Sequence, residues 1–262
     1  MTMKKLITLI FITTHALPVW SQRDVSFQNE IQRSIDRGLA WMKSSQNAEG
    51  WWTSPDHPAV TAMALLSYHG NPNLPKKTPA WVKKGHEFLI TKIQPNGSIY
   101  TPGKGLANYN TSLCMMAMLA SRDVKYNPTV IKARGFLVKQ QFDEGVKGKT
   151  DHPLDGGVGY GTRYSHSDLN NTLIALEALY YSRHLVKDAP DVGKDLNWKA
   201  AIDFIQNCQN LKSHNKQPWV SDDPENKGGF IYFPGKSMAD NVKGSGSGRT
   251  ALRSYGSISY AG

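Results

Sequence analysis

The sequence predicts an all-α fold built from repeated helical hairpins. Three observations predict it: apolar residues recur at helical spacing in separate segments, a Gly turn follows at a similar offset, and a helix poor in charge follows each turn. Gly38, Trp41, Met42, Gln46, Gly50 and Trp52 set the pattern, at offsets zero, three, four, eight, twelve and fourteen. Gly85, Phe88, Leu89 and Gly97 repeat offsets zero, three, four and twelve, with Gln94 one place late. Ala133, Phe136, Leu137, Gln141 and Gly145 match again. Ala201, Phe204, Ile205 and Gln209 match at the start of a fourth copy, and Gly229-Phe230 supplies a delayed Gly-aromatic pair. The helices poor in charge are expected at residues 59–68, 111–120 and 172–181, with a fourth opening near Tyr255.

Taken in order, Val25–Ser45 is the first amphipathic helix, with Ser26 as its cap and Ile31, Ile35, Leu39 and Met42 as its apolar stripe. Gly50 is expected to stop it, because glycine enters a left-handed cap without a Cβ penalty. Pro55 and Pro58 keep the next loop from joining its flanking helices. The first uncharged helix then runs to about Tyr68, where Gly70-Asn71-Pro72 closes it. Residues 79–92 form the next amphipathic helix, with Pro79 in its first turn, and 94–98 the turn after it. Residues 128–142 form the third. Two insertions follow, at 146–165 and 211–253, and long loops between packed helices are often functional rims.

The run Arg37-Gly38-x-x-Trp41-Met42-x-x-x-Gln46-x-x-x-Gly50-x-Trp52 resembles the QW repeat of squalene and oxidosqualene cyclases. More loosely, it is similar to the hairpins of protein prenyltransferase β-subunits. The resemblance runs from about Ile31 to Gly262. It implies an α/α toroid, with amphipathic helices outside, uncharged helices inside and ligand chemistry in the central cavity. It also implies bracing roles for Gly38, Trp41, Gln46, Gly50, Trp52, Gly85, Phe88, Gly97, Phe136, Gln141, Phe204 and Gln209. About three and a half to four hairpins are present, fewer than a closed ring of that family contains, and the last breaks off after Tyr255. The expectation is a toroid truncated at the C-terminus of residues 22–262.

Residues 1–21 read as a secretory signal: Lys4 and Lys5, an apolar stretch from Leu6 to Leu17, and a cleavage site at Val19-Trp20-Ser21. The expected location is therefore secreted or periplasmic. The formal charge is +10, of which the signal carries two lysines. The remaining Lys and Arg are scattered, without the density of a nucleic-acid arm, so no nucleic-acid partner is expected. A basic surface does allow peripheral contact with anionic lipid headgroups. Cys114 and Cys208 are expected to be reduced thiols. Composition does not fix the oligomeric state.

The chemistry-bearing stretch is His166-Ser167-Asp168-Leu169-Asn170-Asn171-Thr172. Its position resembles the Asp-x-Asp-Asp-Thr acid motif of the cyclases, in which a neutral carboxylic acid protonates an alkene or epoxide. Asp168 matches the first Asp, but Asn170 and Asn171 stand where the others would be, and an amide delivers no proton. Two readings stand: Asp168 as acid, or Asp168 as a helix N-cap. His166 and His57 are the accompanying candidate catalytic residues, and a toroid would place both on one rim. Tyr109, Asn110, Tyr164, Asn170, Asn171 and Tyr255 are candidate ligand-binding residues, with Tyr160 alongside them. The prenyltransferase zinc triad is missing, since no Asp-x-Cys occurs, so neither metal nor cofactor is expected. The leading expectation is an apolar, isoprenoid-like ligand in an aromatic cavity, with enzymatic activity open. The alternatives are a non-catalytic scaffold and a carbohydrate enzyme in which Trp51 and Trp52 stack on sugar while Asp168 is the acid.

Overall fold

A computed structural model describes residues 25–162, 164–187, 195–239, 242–243 and 250–262; the signal expected at 1–21 lies outside them. The protein is all-α. Its helices are α1 (Val25–Ser45), α2 (Pro58–His69), α3 (Ala80–Ile90), α4 (Ala107–Ala120), α5 (Asn127–Val138), α6 (Leu169–Tyr181), α7 (Trp198–Asn207) and the short α8 (Gly256–Ser259). The strand pairing is two residues long, Val242–Lys243 against Thr250–Ala251.

The uncharged helices form the centre. α4 packs on both α2 and α6, while α3 lies on α2 and α5 lies against α4 and α6. Leu65, Leu89, Met115, Met118, Leu137 and Leu179 meet in one core without solvent contact. Helices poor in charge bury most of their faces between neighbours, and α3, α5 and α7 bury a narrower stripe. A second cluster, with Leu169, Phe204, Cys208, Trp219 and Ile231, joins α6 and α7 to the second insertion.

One hydroxyl contact recurs in all four copies. The backbone N–H of Trp52, Ile99, Val158 and Phe230 donates to Thr61, Thr111, Thr172 and Ser259, at 3.3, 2.9, 2.8 and 2.9 Å. Each acceptor lies on the following uncharged helix, so every Gly turn is pinned to that helix through a group that would otherwise be a buried, unpaired donor. The glycine two places earlier has a positive φ each time: Gly50 at 99°, Gly97 at 90°, Gly156 at 86° and Gly228 at 85°. At the first three a Cβ would run into a carbonyl of the next amphipathic helix, that of Lys84, Lys132 or Ala200. The turn thus needs glycine for two reasons, its backbone angle and the close approach.

Gln46 and Gln141 clamp the same junctions. Gln46 Nε2 donates to the Gly50 and Trp81 carbonyls, both at 2.9 Å. Gln141 Nε2 donates to those of Gly156 and Asn197, also at 2.9 Å. Gln209 holds Gly228 at 2.8 Å. Gln94 bonds within its own turn, to Lys92 and Tyr100, and holds no neighbouring helix.

Several expectations need correction. Gly145 is not the third turn glycine; it sits against Asp151, and Gly156 takes the role after the insertion. The fourth is Gly228, not Gly229. Gly50 does not cap α1, which ends at Ser45; it shapes the loop that docks on α3. Residues 139–142 leave α5, because Gln141 pairs with Val158 as an isolated β-bridge. Ser26 lies inside α1. Trp41 is 67% exposed and a Cβ on Gly38 would meet nothing, so neither braces a neighbouring element here. α1 buries none of its residues and reaches the core only through half-buried Leu39.

Candidate ligand cavity

A cavity of about 390 Å³ opens between the N-terminus of α6, the second insertion and α8. Its walls are Tyr160, Asn170, Tyr232, Met238, Tyr255, Ser257, Ile258 and Ala261. Backbone pairing sets them together. The Leu169 N–H donates to the Tyr232 carbonyl at 2.8 Å, which lays the strand-like run after Gly229 across the start of α6. The Ile231 N–H donates to the Cys208 carbonyl at 2.9 Å and ties the same run to the end of α7.

The rings continue beyond the cavity. Tyr109, Tyr160, Tyr164, His166, Phe233 and Tyr232 follow one another with centroid separations of 6.0, 5.1, 6.2, 4.4 and 5.6 Å. Burial, then the adjacent Tyr160 hydroxyl, holds Tyr232 well above the ordinary phenol pKa. Burial, then the Asp168 carboxylate, also raises the pKa of Tyr255. These phenols are neutral and present hydroxyls rather than charge.

Asp168 stands behind this wall, fully buried. It is the N-cap of α6: one carboxylate oxygen accepts from the Asn171 backbone N–H at 2.9 Å and the other from the Asn171 Nδ2 at 2.7 Å. Burial raises its pKa, and the Asn171 donors oppose that shift. Of the two readings, the geometry built is the cap. Asn171 is its partner and is itself buried, so it faces no ligand space. His166 stacks on Phe233 with its Nδ1 at 3.2 Å from the Ser167 carbonyl.

The other candidates divide. Asn170 and Tyr255 line the cavity. Tyr109 and half-exposed Tyr164 belong to the ring series around it. Asn110 is structural: its Oδ1 accepts the Ala59 N–H at 3.0 Å and its Nδ2 donates to the Leu106 carbonyl at 2.9 Å, so α4 supplies the cap that α2 lacks. It is wholly buried. His57 precedes α2, beside an Asp56 that is paired with Lys104 at 2.9 Å, so its neighbours differ from those of His166. Its buried Nδ1 has no hydrogen-bond partner among the described residues. Trp52 is buried edge-on to Trp81 at 6.0 Å, with its Nε1 donating to the Met42 carbonyl at 2.8 Å, so it offers no face to a sugar.

Sequence reasoning missed Tyr232, Met238, Ser257, Ile258 and Ala261. The one available signal was the aromatic run Phe230-Ile231-Tyr232-Phe233 inside an otherwise polar insertion. Cys114 and Cys208 are separate buried thiols, both with pKa raised by burial. Among the described residues no His, Cys, Asp and Glu group is placed to hold a metal ion, and no helix is long and apolar enough to cross a membrane. Comparison with protein-family models, curated proteins and solved structures finds no match to this chain.

Proposed function

We propose that the chain is a secreted α/α-toroid protein of the squalene cyclase and prenyltransferase type, and that it binds an apolar, isoprenoid-like molecule in the Tyr160–Tyr232–Tyr255 cavity. One observation carries the reading: none of the eight residues lining that cavity is charged, and three of them are tyrosines. A site of this size with aromatic walls and a few hydroxyl and amide groups suits an apolar body with a neutral polar end. A diphosphate would need cationic side chains that the lining lacks.

The reading is of binding rather than acid catalysis. Both Asp168 oxygens are engaged by Asn171, and Asp168 does not line the cavity. The amides at 170 and 171 leave no second acid beside it.

The test is a tyrosine-fluorescence titration with farnesol, with farnesyl diphosphate and a soluble polysaccharide as comparators. Farnesol should bind, Tyr232→Ala and Tyr255→Ala should each weaken it, and the diphosphate should bind less well. No farnesol binding, or farnesol binding indifferent to both substitutions, would overturn the assignment. Release of reducing ends from the polysaccharide would move the chain to the carbohydrate enzymes.

A further inference from the structure

The charge-poor helices α2, α4 and α6 lie side by side and point the same way. Asn110 of α4 caps the start of α2, and the Asn108 N–H donates at 3.1 Å to the Tyr160 carbonyl, shortly before α6. Their starts therefore share one face of the molecule, the face that bears the aromatic cavity. The three helices have 12, 14 and 13 residues. At about 1.5 Å per residue their far ends lie level to within about 3 Å. Three loops leave that far face, at residues 70–79, 121–126 and 182–187.

Contacts tie these loops together. His69, at the end of α2, meets His86 with Nε2 to Nε2 at 2.9 Å, and the His86 ring stacks on Tyr126 at 5.1 Å. Arg134 of α5, the helix that follows Tyr126, donates to the Ser182 hydroxyl at 3.0 Å.

Each loop exposes an apolar or aromatic side chain beside cations. Leu74 is 45% exposed, with Lys76 and Lys77 after it. Val124 is 76% exposed, between Arg122 and Lys125. Exposed Tyr180 and Tyr181 precede Arg183. Lys125 pairs with Asp123 at 3.1 Å and Arg183 with Asp195 at 3.7 Å, while Lys76, Lys77 and Arg122 have no ion pair among the described residues. Residues 188–194 lie outside the described residues and hold two Asp and one Lys, so the third loop is balanced in charge and contributes its two rings.

Local structure does not account for this pattern. A helix dipole favours a cation just past a C-terminus, which explains Arg122 and Arg183. It gives no reason for Lys76 and Lys77, or for the bare Leu74 and Val124. The opposite face mixes its signs, with Glu49 and Asp56 in one loop and Asp143 and Asp151 beside Lys147 and Lys149 in another.

We propose that the face formed by the 70–79 and 121–126 loops docks on an anionic lipid membrane. Leu74 and Val124 enter the interface, and Lys76, Lys77 and Arg122 lie on the headgroups. The two kinds of residue act together at a lipid surface: cations are drawn to the anionic headgroups, and apolar tips gain by leaving water for the acyl boundary. Tyr180 and Tyr181 flank the contact as rings with a wet end and an apolar body, suited to headgroup depth. A soluble acidic polymer would engage the cations but offer Leu74 and Val124 no apolar phase. The contact is independent of any ligand in the aromatic cavity.

The test is co-sedimentation of the exported chain with vesicles of phosphatidylglycerol and phosphatidylcholine, and with vesicles of phosphatidylcholine alone. The chain should bind the anionic vesicles and be released by salt. Lys76→Glu combined with Lys77→Glu should weaken binding by at least about tenfold, and Val124→Glu by at least about fivefold. All three positions are exposed, so melting temperatures should be unchanged. Insertion is read separately with an environment-sensitive fluorophore on Val124→Cys, and on Glu49→Cys of the opposite face as control. Both native cysteines are buried, so the label goes to the engineered thiol. The label at 124 should shift to the blue on anionic vesicles and the label at 49 should not. No binding to anionic vesicles, equal binding to neutral ones, or unchanged binding of the folded variants would overturn the proposal. So would binding of dextran sulfate together with no shift at 124 on vesicles, which would assign the face to acidic polymers.

Discussion

Mild acid should destabilise this fold through one buried histidine. His86 of α3 is 2% exposed, stacks on Tyr126 at 5.1 Å and places its Nε2 2.9 Å from that of His69. Its Nδ1 has no partner among the described residues. Burial, then His69 and Lys125, hold its pKa down to about 3. A free histidine titrates near 6.5, so below that pH the unfolded chain binds a proton that folded His86 refuses. Stability therefore rises with the pH wherever the unfolded state holds more protons, and it falls as the pH drops from about 6.5 towards 3. Between pH 7.5 and 5 the linkage amounts to about 2 kcal/mol. For a domain of this size that is a fall in Tm of about 4–8 °C. His69, whose pKa burial also lowers, adds in the same direction. The assay is thermal unfolding of the wild type and His86→Phe at both pH values. The phenyl ring keeps the Tyr126 stack, so the variant should show a smaller acid-induced fall by about the stated amount. Equal falls in the two proteins would refute the reasoning.

Three further outcomes follow from the packing. Trp52→Ala should cost about 3–5 kcal/mol, from the cavity left beside Trp81 and the lost bond to Met42, and chemical denaturation measures it. Thr111→Val keeps the side-chain shape but strands the Ile99 N–H, which is bound at 2.9 Å, so it should cost about 1–3 kcal/mol in the same assay. Asp168→Ala should cost about 1–2 kcal/mol through the lost cap, while Asp168→Asn, whose amide oxygen still accepts from the Asn171 N–H, should cost less. The same order should appear in their melting temperatures, and equal losses would show that capping is not what Asp168 contributes.

Helix positions were legible because periodicity and proline mark them locally: α1 runs over the residues expected, and α2 and α3 differ by a residue or two at each end. The offset argument failed where it treated loop length as fixed. Gly145 has the right distance in sequence from Gln141, but the constraint is a carbonyl on α7, and Gly156 is the glycine that meets it. Trp41 misled for the opposite reason. Its position in the repeat is right, yet among the described residues nothing covers it, and it is 67% exposed. In the cavity, Tyr255 and Asn170 were accessible because each lies at the start of an uncharged helix, at a place the repeat predicts. Tyr232 and Met238 were not, because they lie in an insertion without periodicity, and Tyr232 reaches the site through backbone pairing that residue spacing does not encode.

The glutamine-to-glycine clamp joins its two ends whatever lies between them. It spans four residues from Gln46 to Gly50, fifteen from Gln141 to Gly156 and nineteen from Gln209 to Gly228. The energetic unit is the anchored pair, and the intervening chain is a tether whose length adds only slowly growing closure entropy. The segment behind each clamp is thus a port at which new sequence enters without renegotiating the helix packing. The third and fourth copies have already used that freedom, between Gln141 and Gly156 and between Gln209 and Gly228, whereas the cavity residues Tyr232 and Met238 lie beyond the second of these anchors. The four-residue tether after Gln46 remains the unexploited site, where a foreign loop can be grafted and displayed on the same scaffold.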